Sequence, residues 1–327
     1  MIPRRVLVTG GAGYIGSHTV RLLTAHGYDV QIVDDLSYGH RHSVDEDRLH
    51  VLDISNTEGL VRLLEWFRPE AVIHFAAFIS VGESMEAPEK YFTNNVGGSL
   101  SLLNAMLRTG VGNIVFSSTA AVYGMPASVP IREDFPCVPV NPYGESKAMV
   151  EKMLSWFDRT RGLRSVSLRY FNASGASPEG DIGEEHNPET HLIPLLFRAI
   201  RTAKPVTVFG EDYPTPDGTC IRDYVHVNDL AEAHILALEY LVAGGASDAF
   251  NVGIGTGYSV REVITAVERV TGRKVPCEAG PRRAGDPASL VAASDKLRSR
   301  LDWSPRFAAL DDIVRTAWVF EQNRNLR

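Results

Sequence analysis

The 327 residues suit one large domain or two that share a core, and a make-up of 44% hydrophobic and 22% charged residues is that of an ordinary globular protein. A formal net charge of -7 excludes the broad positive field that nucleic acid or an acidic membrane surface needs, and leaves room for an anionic small molecule held by a few local arginines. No apolar run approaches the roughly 20 residues of a membrane span, and Cys137, Cys220 and Cys277 show no metal-ligand spacing, so reduced thiols, a cytoplasmic setting and no metal site are expected.

From the start of the chain, β-branched runs alternate with longer segments whose apolar residues recur at helical spacing. The first run, Val6-Leu7-Val8 behind Arg4 and Arg5, stops at Thr9-Gly10-Gly11 and reads as a strand rather than a signal segment. Strands are expected at 6–9, 30–34, 50–52, 71–75, 114–117 and 165–168, and helices at 14–26, 58–67, 100–108 and 142–160. That order predicts an α/β protein with a doubly wound parallel sheet of the Rossmann type, covered on both faces by helices. From Phe171 to Glu189 the chain is rich in Gly, Asn, Ser, Pro and Glu and reads as a long loop, a length that is usually functional or disordered. Beyond it lie a helix near 192–201, a short strand at 206–209, a loop through Cys220 and two or three further helices. The expected division is a dinucleotide-binding domain over 1–172 and a smaller α/β lobe over 173–327, with some segments returning to the first domain.

Gly10-Gly11-Ala12-Gly13-Tyr14-Ile15-Gly16 directly follows the first strand and opens a helix, the context of a dinucleotide-binding turn. Glycine is needed there because a side chain would keep the backbone away from a pyrophosphate, whose charge the helix N-terminus stabilises. A tight turn with no ligand is the competing reading. Against it stands Asp34, 18 residues after Gly16 at the end of the second strand, where a carboxylate bonds an adenosine ribose and repels the 2′-phosphate of NADP. The expected cofactor is therefore NAD, with Asp35 adjoining. Asp53-Ile54 could hold the adenine edge, although an Asp capping the next helix explains Asp53 equally well.

In Asn141-Pro142-Tyr143-Gly144-Glu145-Ser146-Lys147, Asn141 can cap a helix and Pro142 sits where its missing N–H costs nothing. Tyr143 and Lys147 are then i and i+4 on one face. A free phenol titrates near ~10, and a neighbouring ammonium with a positive nicotinamide ring would stabilise the phenolate and yield a usable base. An isolated Y-x-x-x-K is more often a surface pair. Here a strand ends upstream at Thr119, at the sheet edge where ligands bind in such folds, and the Thr119 hydroxyl can bond a reacting oxygen.

These segments, with His74-Phe75-Ala76-Ala77, Val81-Gly82-Glu83-Ser84, Asn94-Asn95-Val96, Leu168-Arg169-Tyr170-Phe171-Asn172, Arg222-Asp223-Tyr224-x-His226-Val227 and Arg282-Arg283-Ala284-Gly285-Asp286, resemble the extended short-chain dehydrogenase/reductase family from Val6 to about Trp318. Within it the chain is most similar to the UDP-sugar 4-epimerases. The resemblance implies that Tyr143 takes the proton from sugar O4 as hydride leaves C4 for NAD, that Lys147 holds the cofactor ribose and lowers the phenol's pKa, and that Thr119 completes the hydrogen bonding. It implies that Gly10, Gly13, Tyr14, Ile15, Gly16, Asp34, Asp35, Phe75, Ala76, Ala77, Asn94 and Tyr170 line the cofactor. On the substrate side it implies Asn172, Leu192 and Phe209 for the UDP-sugar, Arg222 and Arg283 for its diphosphate, and Asp286 for the uridine ribose. Paired arginines suit diphosphate oxygens through bidentate bonds. A homodimer is also implied.

The expected reaction interconverts UDP-galactose and UDP-glucose. The chain departs from the family pattern at Ile79, where some members carry a lysine, at Thr119, in place of the more usual serine, and at Leu290, whose position bears on accepting an N-acetyl group. A 4-epimerase of another UDP-sugar, whether N-acetylhexosamine, pentose or uronate, is the main alternative. A dehydratase needs an acid and a base beside the hydroxyl, and Ala120-Ala121 offers only methyl groups. A non-catalytic NAD sensor would have lost the Tyr143/Lys147 pair.

Overall fold

A computed structural model describes residues 4–283 and 286–324. The strands are β1 (Arg5–Thr9), β2 (Asp29–Asp34), β3 (Leu49–Val51), β4 (Ala71–His74), β5 (Asn113–Thr119), β6 (Arg164–Tyr170), β7 (Asn172–Ser174), β8 (Val206–Phe209), β9 (Ile221–His226), β10 (Asp248–Val252), β11 (Gly257–Ser259), β12 (Cys277–Gly280) and β13 (Ser289–Leu290). The helices are α1 (Tyr14–Ala25), α2 (Thr57–Phe67), α3 (Val81–Glu86), α4 (Pro88–Tyr91), α5 (Ser99–Thr109), α6 (Pro142–Arg161), α7 (Leu192–Thr202), α8 (Val227–Val242), α9 (Val260–Thr271), α10 (Asp295–Leu301) and α11 (Leu310–Arg324).

Seven parallel strands form the main sheet in the order β10-β6-β5-β4-β1-β2-β3. Successive side chains on a strand point to opposite faces, and a run such as Val6-Leu7-Val8 therefore feeds two cores at once. Val6 and Val8 pack with Ile32, Ile73, Leu168 and Phe250 under α1 and α8, while Leu7 packs with Val33, Val72 and Phe116 under α2, α5 and α6. This is the doubly wound sheet the alternation predicts.

Four helices, not two or three, follow β9 among the described residues. The seven-residue α10 is too short to show a period. α8 packs beside α1 on the main sheet, and β10 pairs with β6, placing Phe250 opposite Leu168. The remaining segments build a smaller body: β11, β9 and β13 form one sheet with β7 paired to β9, β8 pairs with β12, and α7, α9 and α11 share a core of Leu196, Phe197, Val263, Val267, Ile313 and Val314. Within the expected 171–189 loop, the short strand β7 turns the chain from the first sheet into the second. All three cysteines are free thiols, and no described helix is long and apolar enough to cross a membrane.

Candidate active site

A cleft of about 940 Å³ runs along the C-terminal ends of the main strands and between the two bodies, at the upper end of the range for small-molecule sites. After β1 the chain turns at Gly10, in the left-handed region at φ +70. A Cβ on Gly10 would lie 2.5 Å from the Ala76 nitrogen, and one on Gly16 would lie 2.1 Å from the Gly10 carbonyl oxygen, so the chain's own packing demands both glycines. Gly13 differs: a Cβ there would meet only the Gly10 oxygen at 3.4 Å. Nothing in the protein requires glycine at Gly13, whereas a ligand lying on the N-terminus of α1 does, and no side chain caps that terminus. The turn therefore fits a dinucleotide pyrophosphate better than an empty structural bend.

At the end of β2 the Asp34 carboxylate accepts the Ala12 and Leu36 N–H groups, each at 2.9 Å. Burial raises its pKa and these two amides oppose the rise. Asp35 accepts the Ser37 N–H at 2.9 Å and its hydroxyl at 2.7 Å. Both aspartates line the cleft with Tyr14, Ile15, Ile54, Phe75, Ala76, Ala77, Ile79 and Asn94. Asp53 does not line it: its carboxylate accepts the Ser55 N–H at 2.7 Å, and the cap of α2 is instead Asn56, bonded to the Gly59 N–H at 2.9 Å. Asn94 lies in a π-helical turn over Phe92–Gly98, a distortion common at functional sites. Beside it, buried Asn95 brackets the Phe78 backbone, accepting its N–H at 2.8 Å and donating to its oxygen at 3.0 Å, and also donates to the Ser146 hydroxyl at 3.0 Å. Asn95 thus ties the cofactor wall to α6, a role that the sequence motif alone does not reveal.

α6 starts where Asn141 accepts the Gly144 N–H at 2.8 Å, with Pro142 in its first turn. That start turns Tyr143 and Lys147 inward, 7% and 2% exposed. Thr119, at the end of β5, accepts the Ala121 N–H at 3.1 Å, which leaves its own hydroxyl hydrogen to donate. Burial pushes the Tyr143 phenol well above its usual value, neighbouring Tyr170 and Tyr91 add to this, and the Thr119 hydroxyl beside it favours the ionised form. Burial pushes the Lys147 ammonium down to about 7, with Glu151 opposing. Its Nζ donates to the Ser117 carbonyl at 2.8 Å. Desolvation thus opposes the charged form of both groups. The Tyr170 hydroxyl bonds the Ser117 hydroxyl at 2.9 Å, and Ala120 and Ala121 complete this wall.

Opposite, Asn172, Leu192, Phe209, Arg222, Arg283, Asp286 and Leu290 line the same cleft, each carried by the smaller body. Arg222 is bonded to Asp286 and to the Ile221 carbonyl, and the Arg283 guanidinium lies 4.1 Å from the Phe209 ring centre. Ala284 and Gly285 of that motif lie outside the described residues. Arg198 on α7 adds a third cationic side chain that the sequence does not single out, because an exposed helical arginine has no local signature. The loop before α7 also brings Glu184, His186, Glu189 and His191 to the cleft, another group absent from the sequence expectations although its E-x-H-x-x-E-x-H spacing was there to be read.

The model of the NAD dependent epimerase/dehydratase family matches residues 6–253. The chain is 51% identical to the UDP-glucose 4-epimerase of Lacticaseibacillus casei, over 97% of each protein. It is 48% identical to the Brucella ovis UDP-glucose 4-epimerase solved in complex with NAD, with a TM-score of 0.94 over 96% of this chain and 97% of that one. It is 35% identical to the Bifidobacterium longum UDP-glucose 4-epimerase solved with NAD+ and UDP, with a TM-score of 0.92 over 98% and 99%.

Proposed function

The chain belongs to the NAD dependent epimerase/dehydratase family, and from that premise we propose that it interconverts UDP-galactose and UDP-glucose by transient oxidation at C4. The observation that carries the reading is the wall formed by Tyr143, Thr119, Ala120 and Ala121. It offers one proton-transfer group and one hydroxyl donor, with no carboxyl group beside them to eliminate water. Gly10, Gly13, Gly16 and Asp34 would hold NAD, which when bound would supply the acceptor and donor of hydride.

Tyr143 takes the proton of the sugar O4 and returns it once the 4-keto sugar has presented its other face. Thr119 donates to the same oxygen through the hydrogen left free by its bond from Ala121. Lys147, tethered by one N–H to Ser117, keeps further N–H groups for the cofactor ribose. A phenol this deeply buried needs positive charge nearby to ionise, which an oxidised nicotinamide bound beside it would supply. Arg222 and Arg283, with Arg198 in the same cleft, would take the UDP diphosphate, and Asp286, bonded to Arg222 without substrate, would take the uridine ribose. Residues 1–172 carry NAD and 173–327 mainly carry UDP, with β10 and α8 returned to the first sheet.

The test is the purified chain, without added cofactor, on a panel of UDP-hexoses, UDP-N-acetylhexosamines, UDP-pentoses and UDP-uronates. Conversion of UDP-galactose at the highest kcat/KM is expected, and lack of 4-epimerisation on every member sinks the assignment. The protein is further read as a cytoplasmic homodimer acting in galactose metabolism. In support of the dimer, Leu100 on α5 and Met149 and Trp156 on neighbouring α6 leave large apolar groups on the surface, Trp156 at 55% exposure. Light scattering should give twice the chain mass for the wild type and a shift toward monomer for Trp156→Glu.

A further inference from the structure

The loop that leads into α7 gathers four metal-binding side chains from the eight residues Glu184 to His191. One Glu184 oxygen stands 3.5 Å from His186 Nδ1 and 2.8 Å from His191 Nδ1. The Glu189 carboxylate stands 3.6 Å from His186 Nδ1 and 3.0 Å from His191 Nδ1. Around a tetrahedral zinc ion, with bonds of about 2.0–2.1 Å to nitrogen and oxygen, neighbouring ligand atoms lie about 3.3 Å apart. The four observed separations bracket that value, and all four ligand atoms fall within 4.8 Å of one another.

The two imidazoles turn the same ring nitrogen toward one point. His191 Nδ1 meets carboxylate oxygens at hydrogen-bonding distance, but His186 Nδ1 is fully buried and has no hydrogen-bond partner. A buried polar atom without a partner is costly, and a lone pair aimed at the centre of the cluster resolves the cost if a cation sits there. The Glu184 side chain is 8% exposed, so its charge is likewise committed to the interior of the cluster.

We propose that Glu184, His186, Glu189 and His191 bind one divalent transition metal, zinc by this donor set, in a closed four-ligand site. Four protein ligands leave no open position, which makes the site structural rather than catalytic. Its place gives it a task. The His186 ring packs edge-on against Tyr14 in the first turn of α1, Tyr14 donates to the Gly175 carbonyl at 2.6 Å, and His191 is the residue from which α7 starts. The metal fastens the cofactor helix to the helix carrying Leu192 and Arg198, and so sets the width of the cleft.

The test uses the full chain made without a polyhistidine tag. Elemental analysis of protein purified without chelator should find one zinc per chain. After stripping with a chelator, one equivalent of cobalt chloride should give the intense visible bands of four-coordinate cobalt, and zinc chloride should raise the melting temperature. His186→Ala should abolish the cobalt spectrum, while Glu185→Gln, a neighbour outside the cluster, should keep it. The wild-type measurements decide the matter even if His186→Ala folds poorly: no retained metal and no four-coordinate cobalt spectrum would show a hydrogen-bonded His/Glu cluster only, and survival of the spectrum in a folded His186→Ala would also overturn the site. None of these readouts depends on turnover, so a failed epimerase assay leaves the metal question separate.

Discussion

The Tyr143 phenol is held neutral by burial and eased toward ionisation only by Thr119, and it is the single proton-transfer group on the wall facing the sugar. Removing its hydroxyl should therefore lower kcat by about 10²–10⁴-fold, while the protein still carries NAD through its glycine turn. Tyr143→Phe measured for UDP-galactose conversion, alongside cofactor released on denaturation, checks both halves. The glycines separate in a similar way. Gly13→Ala finds room within the protein, so it should keep the wild-type melting temperature and lose at least about tenfold in NAD affinity, whereas Gly16→Ala collides with the Gly10 carbonyl and should be destabilised as well. Equal stability loss in both would remove the argument that Gly13 serves the ligand. Residues whose chemistry is local, such as Asp34 beyond the turn or Tyr143 behind a cap, could be read in the sequence because their spacing is fixed by one strand or one helix. Residues whose role needs distant partners could not: Asn95 matters because it meets Phe78 and Ser146, and the Lys147 ammonium is pushed down by the burial that surrounds it.

Helix α6 shows what an element adds to its residues. Its start is set by the Asn141 cap, and its inward face carries both Tyr143 and Lys147. Asn141→Ala should cost about 1 kcal/mol of stability, seen as a lower urea midpoint, and should loosen the Tyr143 position enough to reduce kcat more than it raises KM. Periodicity located the main strands and the long helices because each repeats its pattern over several turns or alternations. The short strands β7, β11 and β13 and the helix α10 carry too few residues for a period, and exist because partners elsewhere in the chain complete them. For the same reason the fold of the first domain was legible and the architecture of the smaller body was not.

Across the whole molecule, four histidines are kept neutral by burial: His18 and His234 are pushed down to about 4, and His74 and His226 to about 3. In the unfolded chain each protonates near ~6.5. Their contribution to stability is thus complete above that pH and is lost as pH falls toward the folded values, at up to about 1.4 kcal/mol per pH unit for each histidine. Urea midpoints should fall steeply between pH 6.5 and 5, and a flat profile there would contradict the buried-neutral assignment.

The return of β10 to the edge of the main sheet has an evolutionary side. A gene cut near residue 172 would yield a first half with the β6 edge bare, its backbone N–H and C=O groups open to pairing with other chains. The substrate-facing half would in turn keep β10 and Phe250 but lose the β6 strand they pair with. No single crossover between two such genes can exchange the sugar-binding body as a cassette and leave the nucleotide half intact. New specificities must instead arise by substitution within the cleft, at positions such as Leu290, on an inherited frame.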